Sequence, residues 1–255
     1  MSLFNAGLSK VEERVRENLQ ITKQIFPEEI QHIEYGLALL WDLTQPTNDA
    51  EKDFPRKPNL LTNRNLFGRN RQLLLNAYFC MLSSNYGTQF VILRTVLENN
   101  NLMRLFNLQP IYAFEWLPEE KQKQVSPEFQ AMFCCSTKER RFNPFWVLEN
   151  ILGEKRQKKA KEDTARIYGQ LCDYTHSNFK GWHEIMGKKD NEELLLELPT
   201  FSDENAENAI TMMLFLIQLS FKTFVETFRG YWLSHTFEIY EWQMKFNRIV
   251  QKYVR

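Results

Sequence analysis

An arginine and a glutamate lie one helical turn apart in a strongly apolar stretch of the chain. Residues 89–98 read Gln-Phe-Val-Ile-Leu-Arg-Thr-Val-Leu-Glu, apolar almost all round, which predicts a helix at the centre of a bundle. A charge there must be paired or face a polar cavity, because desolvating an isolated charge is costly. We therefore predict either a structural Arg94–Glu98 ion pair or an anion clamp in which Glu98 orients Arg94. Asn101 shares that helix face, two turns from Arg94.

A second polar group ends a helix predicted over residues 155–176. Asp173 and His176 are three residues apart and so share a helix face, with Tyr174 between them. An aspartate beside a histidine can fix its tautomer and raise its basicity, as a general base requires. A histidine near a helix C-terminus is also favoured there by the helix dipole, without any chemistry. If the two segments meet, Arg94 joins these residues in one internal site.

The remaining metal-ligating and nucleophilic residues point to no cofactor. His176 and His183 with Asp173 and Glu184 match no standard metal spacing, so we predict neither a metal nor a cofactor. The four cysteines form no C-x-x-C pair, which indicates free thiols in a reducing compartment. The first residues lack a basic region followed by an apolar run, so we expect no signal peptide. The apolar residues 209–225 carry enough polar side chains to predict a buried helix. We expect a cytoplasmic protein without membrane contact.

Two short motifs resemble those of a family of uncharacterised microbial all-helical proteins. They are Leu-Arg-Thr-Val-Leu-Glu at 93–98, close to L-R-x-x-x-E, and Tyr-Gly-Gln-Leu-Cys-Asp-Tyr-Thr-His-Ser-Asn at 168–178, close to L-S-x-x-x-H. Glu-Leu-Pro-Thr-Phe-Ser at 197–202 resembles the extended segment that follows them. The resemblance spans residues 66–230 and departs at Cys172, where the family more often has serine. The family is loosely similar to the HEPN bundles, which include RNA-cleaving toxins and phage-defence components.

That similarity implies an alternative function as a ribonuclease. HEPN nucleases pair an arginine with a histidine after four to six intervening residues, and Arg229 and His235 satisfy that spacing. On one continuous helix these two residues would lie about 120° apart, although Gly230 could break the helix between them. His235 or His176 would then act as general base, while an arginine stabilises the charge on phosphate. The competing interpretation of His235 is a satisfied core histidine.

The elements that must position these residues are helices. With 255 residues, 43 % hydrophobic and 25 % charged, the composition fits one globular domain over 1–255, and zero net charge removes any global argument for nucleic acid. We predict an all-α multi-helix bundle, with two long helices between residues 66 and 108 that break around 83–87. One small β-hairpin near 182–198 and a proline-rich loop over 46–65 complete the expected architecture.

The last predicted helix, over 231–254, carries an aromatic stripe with heptad spacing. Its members are Trp232, His235, Ile239, Trp242, Phe246, Ile249 and Tyr253. The stripe predicts either docking on the protein's own core or the seam of a homodimer, and we expect a homodimer. Three functions stay open at this point. The protein binds an anionic ligand or partner, cleaves RNA, or serves as a non-catalytic scaffold.

Overall fold

The computed structural model describes residues 3–44, 47–48, 52–54, 56–125, 167, 171, 201–228 and 236–251. Of these, 87 % are helical and none lies in a strand, which confirms the all-α prediction. The helices are α1 (Leu3–Ile25), α2 (Pro27–Asp42), α3 (Pro58–Leu82), α4 (Tyr86–Leu108), α5 (Pro110–Trp116), α6 (Glu119–Gln122), α7 (Asp203–Thr227) and α8 (Thr236–Val250). The hairpin predicted near 182–198 lies outside the described residues, and the single-domain assignment stays a prediction.

The loop predicted over 46–65 is wrong for residues 58–65, because a helix begins at Pro58. Pro58 occupies the first turn of α3, where a proline lacks only a hydrogen bond that the helix would not make. Leu60 and Leu61, which follow it, are buried. Residues 58–65 are therefore helical, and so are Thr47 and Asn48. Pro27 begins α2 in the same way, followed by Glu28 and Glu29 in a turn that favours negative charge.

A tight turn separates α3 from α4 where the sequence predicts a break. Ser84 has φ 60°, the left-handed conformation that commonly ends a helix, and the backbone amide of Asn85 donates to the carbonyl of Cys80 at 2.8 Å. The side chain of Asn85 then caps α4 by accepting from the backbone amide of Thr88. The turn sends α4 back along α3, so the two helices pack antiparallel.

Helix α4 lies at the centre of the bundle, against α3, α5 and α7, as its apolar sequence predicts. Helix α7 also contacts α2, α3 and α8. It is long and apolar enough to cross a bilayer by length and composition, and 56 % of its most apolar window is buried within the protein. The fully buried Phe221 and Phe224 place α7 in the core, and Phe228, which follows its last residue, is fully buried as well.

The described part of the C-terminal helix docks on the protein's own core. Trp242 is fully buried; its indole nitrogen donates to the carbonyl of His32 at 3.1 Å, and its ring stacks on the imidazole of His32 at 4.6 Å. Ile239 and Ile249 are also buried, so these members of the predicted stripe pack within the chain. The boundaries predicted at 231 and 254 lie outside the described residues. Dimerisation stays a prediction.

Candidate functional site

The predicted pair on α4 is present. Arg94 Nε lies 3.0 Å from Glu98 Oε1, with side-chain exposures of 17 % and 35 %. The four-residue spacing places the two groups one turn apart, and the partial burial of the guanidinium favours a fixed orientation over a mobile surface contact. This geometry fits a purely structural ion pair and an anion clamp equally well, because both interpretations require contact between Arg94 and Glu98.

Three faces of α4 can be separated from the advance of about 100° per residue in a helix. One face points to α7 and carries Gln89, Asn100 and Asn107. A second points to α3, where the amide of Asn99 donates to Asn70 Oδ1 at 2.8 Å. The third face carries Arg94, Glu98 and Asn101. The predicted site residues of α4 are therefore gathered on the face that is not used for packing on α3 or α7.

Asn101 adds a buried donor to this third face. The residue is 4 % exposed, yet its amide nitrogen has no hydrogen-bond partner among the residues that the structure describes. Asn99, Asn100 and Asn101 are poor helix formers in sequence, but all three lie within α4 and are buried. The amide nitrogens of Asn99 and Asn100 donate to Asn70 and Ser220 on neighbouring helices. Asn101 is the one of the three whose donor is left without such a bond within the described part of the chain.

The face toward α7 forms a ladder of polar contacts that the sequence analysis missed. Gln89 Nε2 donates to the carbonyl of Ala209 at 3.1 Å, Asn100 Nδ2 to Ser220 Oγ at 3.1 Å, and Asn107 Nδ2 to Thr227 Oγ1 at 2.8 Å. Each pair is separated by 120 residues, so α4 and α7 run parallel in one register. The sequence signal for this ladder is the spacing of its members, which are 11 and 7 residues apart on both helices. Residues at these spacings lie on nearly the same face of a helix.

The α3 side adds a second set of amides to this ladder. Asn107 Oδ1 accepts from Asn63 Nδ2 at 2.8 Å, so Asn107 links α3 and α7 through α4. Buried hydrogen bonds between helices favour one arrangement of the helices, because any shift in register breaks several of these bonds together. The ladder is therefore a positioning device for α4. It holds the third face of that helix in place.

The other predicted site residues lie outside the described part of the chain: Asp173, Tyr174 and His176, and the alternative pair Arg229 and His235. Whether they meet Arg94 stays a prediction, and so does the ribonuclease alternative.

The only histidine within the described ranges is His32. Burial, and secondly the charge of Lys245, lower its pKa to about 4, which leaves it neutral at pH 7. Within the same ranges, no group of three His, Cys, Asp or Glu side chains is placed to hold a metal ion. Comparisons with protein-family models, with curated proteins and with solved structures gave no match to this chain.

Proposed function

We propose that the protein binds an anionic ligand at the face of α4 that carries Arg94, Glu98 and Asn101. One observation carries the proposal: the amide nitrogen of Asn101 is buried on this face without an acceptor among the described residues. Leaving such a donor unsatisfied costs about 1–3 kcal/mol, which an acceptor on a bound molecule would recover. The neighbouring guanidinium supplies the charge that selects an anion.

Each side chain has a separate role in this site. Glu98 engages Arg94 through Nε and so fixes the plane of the guanidinium, whose fork geometry suits carboxylate and phosphate groups. Seven residues of helix span about 10 Å, so the ligand would carry an anionic group for Arg94 and a second acceptor for Asn101 at that scale. In this proposal Asp173 orients His176, and Tyr174 completes the binding surface.

Arg104 provides a matched control for the test. It also lies on α4, and its Nε pairs with Glu226 Oε2 at 3.1 Å, but it faces α7. We would measure the thermal shift of the full chain with citrate, pyrophosphate and a nucleoside triphosphate, using wild type, Arg94→Gln, Asn101→Leu and Arg104→Gln. Binding to the native state raises Tm with ligand concentration.

The proposal expects at least one probe to raise the Tm of wild type and of Arg104→Gln, while Arg94→Gln abolishes that shift. Asn101→Leu should weaken it, since the ligand then loses its second contact. The absence of a shift with every probe would overturn the proposal. A shift of equal size in wild type and Arg94→Gln would do so as well.

We also propose that a second copy of the chain packs on the exposed face of α8, which makes the protein a homodimer. Phe237, Tyr240 and Met244 lie on one helix face and remain 67 %, 59 % and 43 % exposed. Glu241 and Arg248 are exposed on the same face, on either side of Met244. An antiparallel pair of α8 helices would cross near Met244 and place Glu241 of each copy opposite Arg248 of the other. Charge complementarity therefore favours a two-fold interface.

Light scattering on a sizing column tests this interface at about 100 μM protein, where an interface of modest affinity is occupied. Glu241→Lys and Arg248→Glu should each shift the mass toward the monomer, because each places like charges opposite one another. The double variant carrying both changes should restore the dimer. A monomeric wild type, or a double variant no more dimeric than the single ones, would refute the interface.

A further inference from the structure

The C-terminal helix α8 is held on α2 by two contacts that lie one turn apart on each helix. Trp242 stacks on His32 with 4.6 Å between their ring centres. Three residues later on both helices, Lys245 Nζ lies 5.9 Å from the ring centre of Tyr35. Within the described ranges α8 packs mainly on α2 and α7. It therefore lies at one side of the bundle, outside the contacts among α3, α4 and α7.

The imidazole of His32 is enclosed by this contact. The residue is 4 % exposed, and its Nε2 is buried without a hydrogen-bond partner among the described residues. A neutral imidazole donates from one of its two nitrogens, whereas a protonated ring donates from both. A proton bound while α8 is docked would therefore leave a charged ring with a buried nitrogen that has no acceptor. Burying a charge without such partners is strongly unfavourable.

The charges around His32 also favour the neutral ring. Burial lowers its pKa most, and the positive charge of Lys245 lowers it next. The negative charge of Glu28 and the backbone of Trp242 raise it by smaller amounts, so the net shift of the pKa is downward. Proton uptake by the docked protein is therefore opposed both by the burial that α8 helps to provide and by a cation that α8 carries.

The other charged groups on the neighbouring helices act elsewhere. Burial, and then Glu241 and Glu238 of α8, raise the pKa of Tyr35. Glu29, buried one turn before His32, is not among the causes of the histidine's shift, and neither is any described charged group of α1, α3 or α7, which also pack on α2. The indole face itself attracts an imidazolium and so opposes release of the helix. Release requires that burial and the repulsion from the lysine outweigh that attraction.

We propose that protonation of His32 releases α8 from α2 while the rest of the bundle stays folded. On release the imidazole loses its aromatic cover, gains water as an acceptor for both nitrogens and moves away from Lys245. The released helix exposes Trp242, Ile239 and Ile249, which are buried in the docked state. In this proposal α8 is an acid-sensitive latch on one side of the bundle. The latch requires neither the anion site on α4 nor the homodimer.

The expected size of the effect follows from two pKa values. His32 has a pKa of about 4 with α8 docked, against about 6.5 for a free histidine. An imidazole that titrates freely after release weakens the docking equilibrium about tenfold between pH 7.5 and pH 5.5, and about 25-fold by pH 5. These pH values lie above the range in which ordinary carboxylates titrate, so a change within this window reports on the histidine.

Hydrogen exchange of the full chain, resolved by peptide mass spectrometry, measures the opening of each helix separately. Protection factors correct for the pH dependence of exchange itself and are compared at these three pH values in dilute samples, where dimerisation is disfavoured. His32→Phe keeps an aromatic ring against the indole but cannot titrate. Lys245→Gln removes the repelling cation. Lys222→Gln is the matched control, because Lys222 is exposed on α7, which also packs on α2.

We expect the protection of α8 in wild type and in Lys222→Gln to fall about tenfold between pH 7.5 and pH 5.5. The fall should be smaller in Lys245→Gln and absent in His32→Phe. At each pH α8 should be less protected than α4, because α8 opens without unfolding of the bundle.

The proposal is overturned if the protection of α8 does not change over this pH range, or if His32→Phe shows the same fall as wild type. It is equally overturned if α8 and α4 are equally protected at every pH, since α8 then opens only when the whole protein unfolds. Far-UV circular dichroism confirms that each variant is folded. If His32→Phe is not folded, an undiminished fall in Lys245→Gln overturns the proposal.

Discussion

Gly36→Ala is the substitution whose effect on stability opposes the expectation from sequence. Gly36 lies inside α2, where alanine is ordinarily more stable than glycine by about 0.5–1 kcal/mol. A methyl group at Gly36, however, would lie 2.5 Å from Trp242 Nε1, 2.9 Å from Trp242 Cε2 and 3.0 Å from Ile217 Cγ2. Carbon contacts are favourable at about 3.5–4.0 Å, so the indole would have to move by about 1 Å.

The indole has little room for that movement. Its ring stacks between His32 at 4.6 Å and Phe246 at 5.5 Å, and it meets the edge of Phe221 at 4.9 Å. Overpacking of this kind costs about 1–3 kcal/mol. Breaking the hydrogen bond from the indole nitrogen to the His32 carbonyl adds about 1–3 kcal/mol, because the donor stays buried. After subtraction of the helix-propensity gain, we expect a net loss of about 1–5 kcal/mol.

Gly68→Ala is the matched control, because it also places alanine in a helix interior. Its methyl group would meet only Arg71 Nη2, at 3.6 Å, so this variant should gain about 0.5–1 kcal/mol. Urea unfolding followed by circular dichroism gives both free energies of unfolding. A cycle with Trp242→Leu then isolates the clash, since Gly36→Ala should cost far less once the indole is absent.

Two results would refute this reasoning. In the first, Gly36→Ala stabilises the protein as much as Gly68→Ala does, so that the indole moves aside without cost. In the second, Gly36→Ala costs the same with and without Trp242, so that the loss arises from something other than the indole.

Two further predictions concern buried polar groups. His32 has a pKa of about 4 when folded, against about 6.5 for a free histidine, so the unfolded chain binds more protons between these pH values. Stability should therefore fall as pH drops from about 6.5 to about 4. His32→Phe should reduce that slope in urea unfolding measured across this range, and an unchanged slope would contradict the assignment. Ser220→Ala should cost about 1–3 kcal/mol, because the amide of Asn100 then loses its bond to α7. Thr223→Val, whose lost hydroxyl bonds only the carbonyl of Leu219 in its own helix, should cost less in the same assay, and equal costs would argue against the interhelical bond.

Local sequence information was sufficient for the helices and for one ion pair. The Arg94–Glu98 contact follows from a four-residue spacing within one helix, whatever that helix packs against. The break after Leu82 follows from turn-forming residues, and the central place of α4 from its apolar surroundings. The prolines of 46–65 misled the prediction because proline both interrupts a helix and suits its first turn, and only packing decided that Pro58 begins one.

The partners of the polar side chains depended on tertiary structure. Asn99, Asn100 and Asn101 carry no sequence signal that separates an amide nitrogen with an acceptor on another helix from one without. The register that matches Asn100 with Ser220 sets that difference. Likewise, Arg71 is an ordinary helix residue in sequence, and only the tertiary structure shows that its guanidinium carbon lies 5.0 Å from the ring centre of Trp41.

The sequence by itself determined which faces of its helices are apolar, because helical periodicity is a property of neighbouring residues. Tertiary structure decided which face meets which. Contacts across 120 residues, or between α2 and α8, depend on how distant helices align. The free energy that selects one alignment comes from shape and hydrogen bonding at surfaces that exist only after the helices have formed.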